Sequence, residues 1–278
     1  MPELPEVETI SRGLAPLITG KRVKATVVRN PRLRWPVELP QSVIGQQILA
    51  VGRRAKYLLL RLETGSLIFH LGMSGSLRIV PAATEPRKHD HVDLLLDDGQ
   101  VLRLNDPRRF GSLHWHEGIP ETHWLLAKLG IEPLSETFTG AYLKRQARGR
   151  RLAVKSFIMD GRIVVGIGNI YANEALFRAG IRPSVRAGRV TAVGYDNLAE
   201  VVRKVLQEAI RMGGTTLRDF VNQDGNPGYF KQSLYVYDRA GLPCRRCAVP
   251  VKVLKNTQRA TYFCPKCQRT QGFGGDKW

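Results

Sequence analysis

The stretch CRRCAVPVKVLKNTQRATYFCPKC, residues 244–267, holds all four cysteines of the 278-residue chain. Cys244, Cys247, Cys264 and Cys267 follow the spacing C-x2-C-x16-C-x2-C. Each C-x2-C pair can sit on a tight turn and aim two sulfurs at one metal, and the intervening residues suit a hairpin that brings the two turns face to face. Two disulfides or four free thiols are the other readings of the same residues. With no cysteine outside the motif and no export signal at the N-terminus, one structural Zn2+ is expected, all four positions of its tetrahedron filled. A hairpin this small buries little core of its own, so the metal must supply its stability.

Working outward, the chain preceding this hairpin changes character once. Residues 5–19 predict a helix: Pro5 suits the first turn, Glu6 and Glu8 complement its dipole, and Val7, Ile10, Leu14, Leu17 and Ile18 form one apolar stripe. Residues 21–30, 46–52, 55–63, 66–71 and 75–80 then read as strands, and HVDLLLDDGQVLRLND (91–106) as a hairpin turning at Asp98-Gly99. Short strands with turn signals predict an antiparallel sandwich or barrel. After Pro133 the period becomes helical, over 139–148, 152–158, 169–179 and 195–211. A polar, glycine-rich stretch follows at 215–232, then the metal hairpin at 235–267 and a tail, 268–278, expected to be flexible.

Composition narrows the function. A hydrophobic fraction of 43% and a charged fraction of 24% are those of a globular protein, and no apolar run is long enough to span a membrane. The N-terminus lacks the basic flank and apolar core of a signal peptide. The net charge of +19 is divided unevenly: residues 1–144 carry 19 basic and 15 acidic side chains (+4), residues 145–278 carry 24 and 9 (+15). So basic a half points to a polyanion, nucleic acid above all; a generally basic surface on an enzyme of a small anion is the alternative.

The N-terminus MPELPEVET carries the chemistry. A small second residue favours removal of Met1, which leaves Pro2 as a free secondary amine. An α-amino group titrates near pH 8, so it can attack an electrophilic carbon and form an iminium. Glu3 and Glu6 lie near enough for one to serve as general acid/base while the helix start holds the other. The plainer reading is that prolines and acids simply begin a helix.

Resemblance adds to these readings. PELPEVET (2–9), RRAKYLLL (53–60), HLGMSGSLR (70–78), KHDHVDL (88–94), NDPRRFG (105–111), VVGIGNIYANEALF (164–177), GGTTLRDF (213–220), GNPGYF (225–230) and QRATYFC (258–264) resemble, in order, the motifs of formamidopyrimidine-DNA glycosylases, bacterial base-excision enzymes for oxidised purines. The resemblance runs from Pro2 to Cys267. It implies an α+β multidomain chain: an N-terminal β-sandwich with a leading helix over 1–131, a helix–two-turns–helix domain over 132–232, and a zinc finger over 233–267. It implies Pro2 as the nucleophile at C1′, Glu3 as the general acid/base, Lys56 as the proton donor of β-elimination, and Arg259 as a phosphate grip associated with δ-elimination. It implies that Met73, Arg108 and Phe110 fill the gap left by a flipped nucleotide, and that His89, Arg150, Lys155 and Asn169 contact phosphate or DNA. Without the family, Lys56 reads as an exposed strand lysine and Met73 and Phe110 as core. Asn169 follows Gly166-x-Gly168 at an expected helix start, where backbone N–H groups suit an anion.

The expected partner is duplex DNA with an oxidised base or abasic site, met by a cytoplasmic monomer. Two rivals remain. A sister enzyme with endonuclease VIII-like preference for oxidised pyrimidines is disfavoured by the PELPEV start and by the 215–230 segment, which resembles the oxidised-purine lesion loop. A non-enzymatic zinc-ribbon DNA-binding protein is disfavoured by intact Pro2, Glu3, Lys56 and Arg259.

Overall fold

The computed structural model describes residues 2–214, 233–256 and 259–269. The expectations for 215–232, including GNPGYF, lie outside the described residues, as do those for 270–278. The chain divides into two compact units, one of residues 1–128 with 213–228, the other of 129–212 with 229–278.

The first unit opens with α1 (Leu4–Ile18). Its apolar stripe is buried: Val7, Ile10, Leu14 and Ile18 are at most 1% exposed. Eight strands follow, β1 (Val23–Val28), β2 (Ile48–Arg54), β3 (Tyr57–Leu62), β4 (Gly65–His70), β5 (Ser76–Pro81), β6 (Asp90–Leu96), β7 (Gln100–Asn105) and β8 (Ser112–Glu117). They make two antiparallel sheets, ordered β1-β6-β7-β5 and β2-β3-β4-β8. Leu58, Leu60, Leu67 and Phe69 of one sheet share a core with Leu94, Leu96, Leu102 and Leu104 of the other, which makes the fold a β-sandwich. Gly99, at φ 82°, takes the left-handed turn position expected of Asp98-Gly99.

Burial inside the first sheet is not wholly apolar. Arg103, 2% exposed, donates to both oxygens of Asp93 at 2.9 and 2.8 Å, and Arg29 adds a bond at 2.6 Å. The pairing satisfies them inside, and removing one partner of such a pair costs about 3–5 kcal/mol.

Two local readings change. The strand expected over 55–63 begins only at Tyr57, because Ala55 and Lys56 form the turn between β2 and β3. Strand β8 was not among the expected elements, since its aromatic and histidine residues, SLHWHE, break the aliphatic pattern of the others.

The second unit holds α2 (Gly140–Ala147), α3 (Val154–Ile158), α4 (Asn169–Arg178) and α5 (Ala192–Arg211), then β9 (Lys252–Asn256) and β10 (Arg259–Phe263), an antiparallel pair. The helix expected over 195–211 starts three residues earlier, where the Thr191 hydroxyl accepts the Gly194 N–H at 3.0 Å and caps it. The helices close around Phe157, Leu176, Tyr195, Leu198, Val202 and Leu206. Gln268 and Arg269, read as the start of a flexible tail, are fixed. Gln268 is fully buried and donates to the Ile181 carbonyl at 2.9 Å, and the Arg269 N–H reaches Gly180 O at 3.3 Å. No helix among the described residues is long and apolar enough to cross a membrane.

Candidate active site and nucleic-acid contacts

Pro2, Glu3 and Glu6 are all buried at the start of α1. The Glu6 carboxylate accepts the Glu3 backbone N–H at 2.9 Å, one half of a capping box that Glu3 closes from its own side. The helix start thus immobilises the two carboxylates beside Pro2. Gly214, of the GGTT motif, completes this wall. A Cβ there would lie 3.0 Å from Glu6 Oε1, and its φ of +79° already favours glycine.

Lys56 sits on the β2–β3 turn, and that turn is strained: Ala55 is in the left-handed region at φ 56°. Arg53 holds it to α1. Its Nε donates to Glu8 Oε2 at 2.9 Å while its other arm donates to the Ala55 carbonyl at 2.9 Å. One guanidinium therefore couples the helix that carries Pro2 to the turn that presents Lys56. Burial alone would raise the Glu8 carboxyl, but bonds from Arg53 and Arg12 outweigh it and hold the group below its ordinary range. The nearby His70 was missed as a site residue, although it lies in the HLGMSG motif. Burial, reinforced by the Lys56 and Arg34 charges, pushes its pKa down to about 4, so it is neutral beside the Lys56 ammonium.

Met73 and Phe110 are 46% and 45% exposed, which decides against the core-packing reading. The Arg108 guanidinium lies 4.9 Å from the Phe110 ring centroid, so two of the three gap-filling candidates are stacked together. His89 is half-buried with φ 75°, a left-handed conformation unusual for a non-glycine residue, on the chain entering β6.

In the second unit, α4 begins at Asn169 as the Gly-x-Gly reading expected, with Gly166 at φ 81°. What Asn169 holds is protein: its Nδ2 donates to the Ala260 carbonyl at 3.1 Å. Lys155 differs more sharply from the phosphate contact expected of it. It is 5% exposed, and its ammonium donates to Ala260 O and Thr261 Oγ1, both at 2.8 Å. Its ammonium is thus held against the strand that begins at Arg259. Asn173 Oδ1 accepts the Tyr262 N–H at 2.9 Å, so three side chains grip the strand whose first residue is the exposed Arg259. Arg150 is half-buried, folded back onto Gln146 O at 2.7 Å.

Glu174, also missed from sequence, is fully buried on α4 and accepts the backbone N–H groups of Tyr235, Val236 and Tyr237, each at 2.9 Å. Burial pushes its pKa up against these bonds. It fixes the chain where it enters the finger. There the four Sγ atoms lie within 4.8 Å of one another, with Cys247–Cys264 at 3.4 Å and Cys244–Cys267 at 3.9 Å. These are too long for disulfides, and they bracket the separation of about 3.8 Å that tetrahedral Zn–S bonds of about 2.3 Å require. The Arg246 and Cys267 N–H groups point at Cys244 and Cys264 Sγ at 3.5 and 3.4 Å, as donors stabilising bound thiolates do. The residues fit one structural zinc. With four thiolates and no open position, it supplies rigidity and no reaction step.

A β-sandwich led by a helix whose start buries Pro2 and two carboxylates, together with a basic helical unit that carries a four-cysteine finger, points to the class of zinc-finger DNA-repair glycosylases. Comparison with known proteins agrees. The formamidopyrimidine-DNA glycosylase N-terminal domain matches residues 1–113, the formamidopyrimidine-DNA glycosylase H2TH domain 129–221, and the zinc finger found in FPG and IleRS 241–270. The formamidopyrimidine-DNA glycosylase of Alkalilimnicola ehrlichii is 60% identical over 97% of this chain and 100% of its own. The Lactococcus lactis Fpg in complex with abasic-site DNA superposes with a TM-score of 0.88 at 30% identity, over 96% of this chain and 99% of that one. MutM in complex with DNA containing carbocyclic 8-oxo-G superposes with a TM-score of 0.88 at 32% identity, over 96% and 100%. The chain belongs to the formamidopyrimidine-DNA glycosylase family.

Proposed function

We propose that this protein is a bifunctional DNA glycosylase and AP lyase of base excision repair, acting as a cytoplasmic monomer on duplex DNA. It removes oxidised purines, 8-oxoguanine and formamidopyrimidines, and then cuts the strand. The observation that carries the reading is the buried Pro2 at the start of α1, next to the buried Glu3 and Glu6 that the helix start holds.

Once Met1 is removed, the Pro2 nitrogen attacks C1′ of the damaged nucleotide, and its lone pair becomes the new N–C1′ bond. Glu3 protonates the sugar oxygen as the ring opens and aids departure of the base, leaving an iminium. The iminium acidifies the C2′ proton; its loss expels the 3′ phosphate, with Lys56 as the associated proton donor. Loss of a second proton expels the 5′ phosphate, with Arg259 gripping the phosphate. Water then hydrolyses the C=N bond and returns Pro2. A base inside the duplex is unreachable until flipped, at a cost of a few kcal/mol. Met73, Arg108 and Phe110 fill the gap left behind, while His89, Arg150 and Asn169 support the DNA backbone. Lys155 acts one step removed, through the strand of Arg259. The working division is a catalytic domain over 1–131, a helix–two-turns–helix domain over 132–232 and the finger over 233–267.

Borohydride trapping on an abasic duplex tests the enzyme reading: a covalent adduct at the N-terminus is expected, and its absence in protein lacking Met1 refutes it. Cleavage of a lesion panel separates this reading from the endonuclease VIII-like one, which requires oxidised pyrimidines to be the better substrates.

A further inference from the structure

We propose that Asp106 is the positioning residue that sets the spacing between the Met73 loop and the Arg108–Phe110 loop. The inference rests on the gap-filling role proposed above for those residues.

Asp106 is fully buried between the two loops and touches both. Its Oδ1 accepts the Ser74 hydroxyl at 2.6 Å, on the residue after Met73. Its Oδ2 accepts the Gly111 N–H at 2.8 Å, on the residue after Phe110. The Arg108 N–H is shared between Asp106 Oδ1 at 3.3 Å and Ser74 Oγ at 3.2 Å, which closes a ring of bonds from one loop to the other. The Asp106 backbone binds a third segment: its N–H donates to His89 O at 3.0 Å, and its carbonyl meets His91 Nε2 at 2.8 Å. A single carboxylate and its peptide thus connect every DNA-contact candidate of the first unit outside the Pro2–Lys56 region.

The backbone allows these loops no slack. At Gly72, φ +60°, a Cβ would lie 2.4 Å from the Phe110 carbonyl carbon and 2.5 Å from Gly111 N. At Gly111 it would lie 2.7 Å from His70 O and 3.0 Å from Asp106 Oδ2. The glycines permit contact of backbone on backbone, and the carboxylate holds it there. Only an anion serves, because both of its oxygens must accept. An asparagine would turn an NH2 toward either the Arg108 N–H or the Gly111 N–H, donor against donor, and break one half of the clasp. Side chains from two loops that enter one gap in a base stack must be in register, and misplacement by about 1 Å can cost a factor of about 100 in rate.

The test measures, side by side, single-turnover excision of 8-oxoguanine from a duplex and borohydride trapping on the same duplex with an abasic site. Excision needs a stacked, paired base to be displaced; the abasic substrate does not. Asp106→Asn should lower the ratio of excision to trapping by about tenfold or more. Ser74→Ala should lower it less, and Ser74→Thr, which keeps the hydroxyl, should restore it. General loss of structure would depress both reactions together and would not be rescued by threonine. Phe110→Ala is the control for the underlying reading. If it lowers the ratio while Asp106→Asn and Ser74→Ala leave it unchanged, the positioning role is overturned alone. If Phe110→Ala leaves the ratio unchanged, the gap-filling reading falls and this inference with it. Should Asp106→Asn fail to fold, the Ser74→Ala and Ser74→Thr pair decides.

Discussion

The first unit and the finger of the second are held together by different means. The sandwich buries two sheets' worth of leucine, valine and phenylalanine, and it spends that stability on strained positions such as Ala55 at φ 56° and His89 at φ 75°. The finger has a small apolar cluster, Phe177, Val236, Val251 and Phe263 with Cys244 and Cys264, and Phe177 is contributed by α4. Its shape comes from four thiolates and from Lys155, Asn169, Asn173 and Glu174, which bind its backbone. The difference teaches that Pro2, Glu3 and Lys56 stand on a large apolar core, while Arg259 and the basic residues of the finger stand on a metal site.

The largest expected effect breaks the comparison at its chemical end. Protein with Met1 retained, verified by intact mass, carries an amide in place of the Pro2 amine. Its borohydride cross-link and strand nicking should fall to background while DNA binding persists, because the net charge of +15 lies in the other half. Cross-linking at an undiminished rate would assign the nucleophile elsewhere, with Lys56 the first candidate.

Next in size is the salt response. Log K against log salt should slope by about −0.9 for each phosphate neutralised. Arg245→Ala and Arg246→Ala, on the exposed finger surface, should flatten it, and Arg22→Ala in the sandwich should not. A slope insensitive to the finger arginines would remove the electrostatic distinction between the regions.

Cys244→Ser sharpens the distinction in stability. Zinc content should fall and DNA affinity should weaken, since structural zinc supplies about 10–16 kcal/mol in finger peptides. The unfolding transition of the sandwich should stay in place. Full zinc content with normal affinity, read by metal analysis and titration, would contradict the structural role.

The smallest effect is acid sensitivity of the sandwich. Glu8 is held below its ordinary pKa, so its stabilisation is complete above that value and is lost as pH falls through the folded one. His70 has a folded pKa of about 4, below its ordinary 6.5, so the unfolded chain takes the proton first and stability declines as pH falls from 6.5 toward 4. Both act in the same direction. Thermal midpoints should drop across this range, and Arg53→Gln should reduce the Glu8 part, leaving what Arg12 supplies. A flat profile would mean that the clasp between α1 and the Lys56 turn carries no energy.

Sequence reading located most elements because their signals are local. Apolar periodicity marked α1 and α5, Asp98-Gly99 marked its turn, and cysteine spacing marked the zinc. It missed β8, whose histidines and tryptophan hide the strand pattern. Resemblance alone implied that Lys155 contacts DNA, and nothing local shows where its ammonium goes; the oxygens that satisfy it are more than 100 positions away in the chain. Glu174 and His70 were passed over for the same reason: their roles rest on backbone N–H groups at 235–237 and on a turn at Lys56, none adjacent in sequence.

Composition, motif order and metal spacing, all properties of neighbouring residues, were thus enough to assign the class of chemistry, the metal and the separation of charge between the halves. Tertiary structure alone decided which charges are spent inside the protein and which face outward. A side chain's type states what it can bond to, but its partner is chosen by chain segments that meet only on folding. Lys155 was redirected inward by β10, and Asp106 became a clasp because two glycine-lined loops close on its carboxylate.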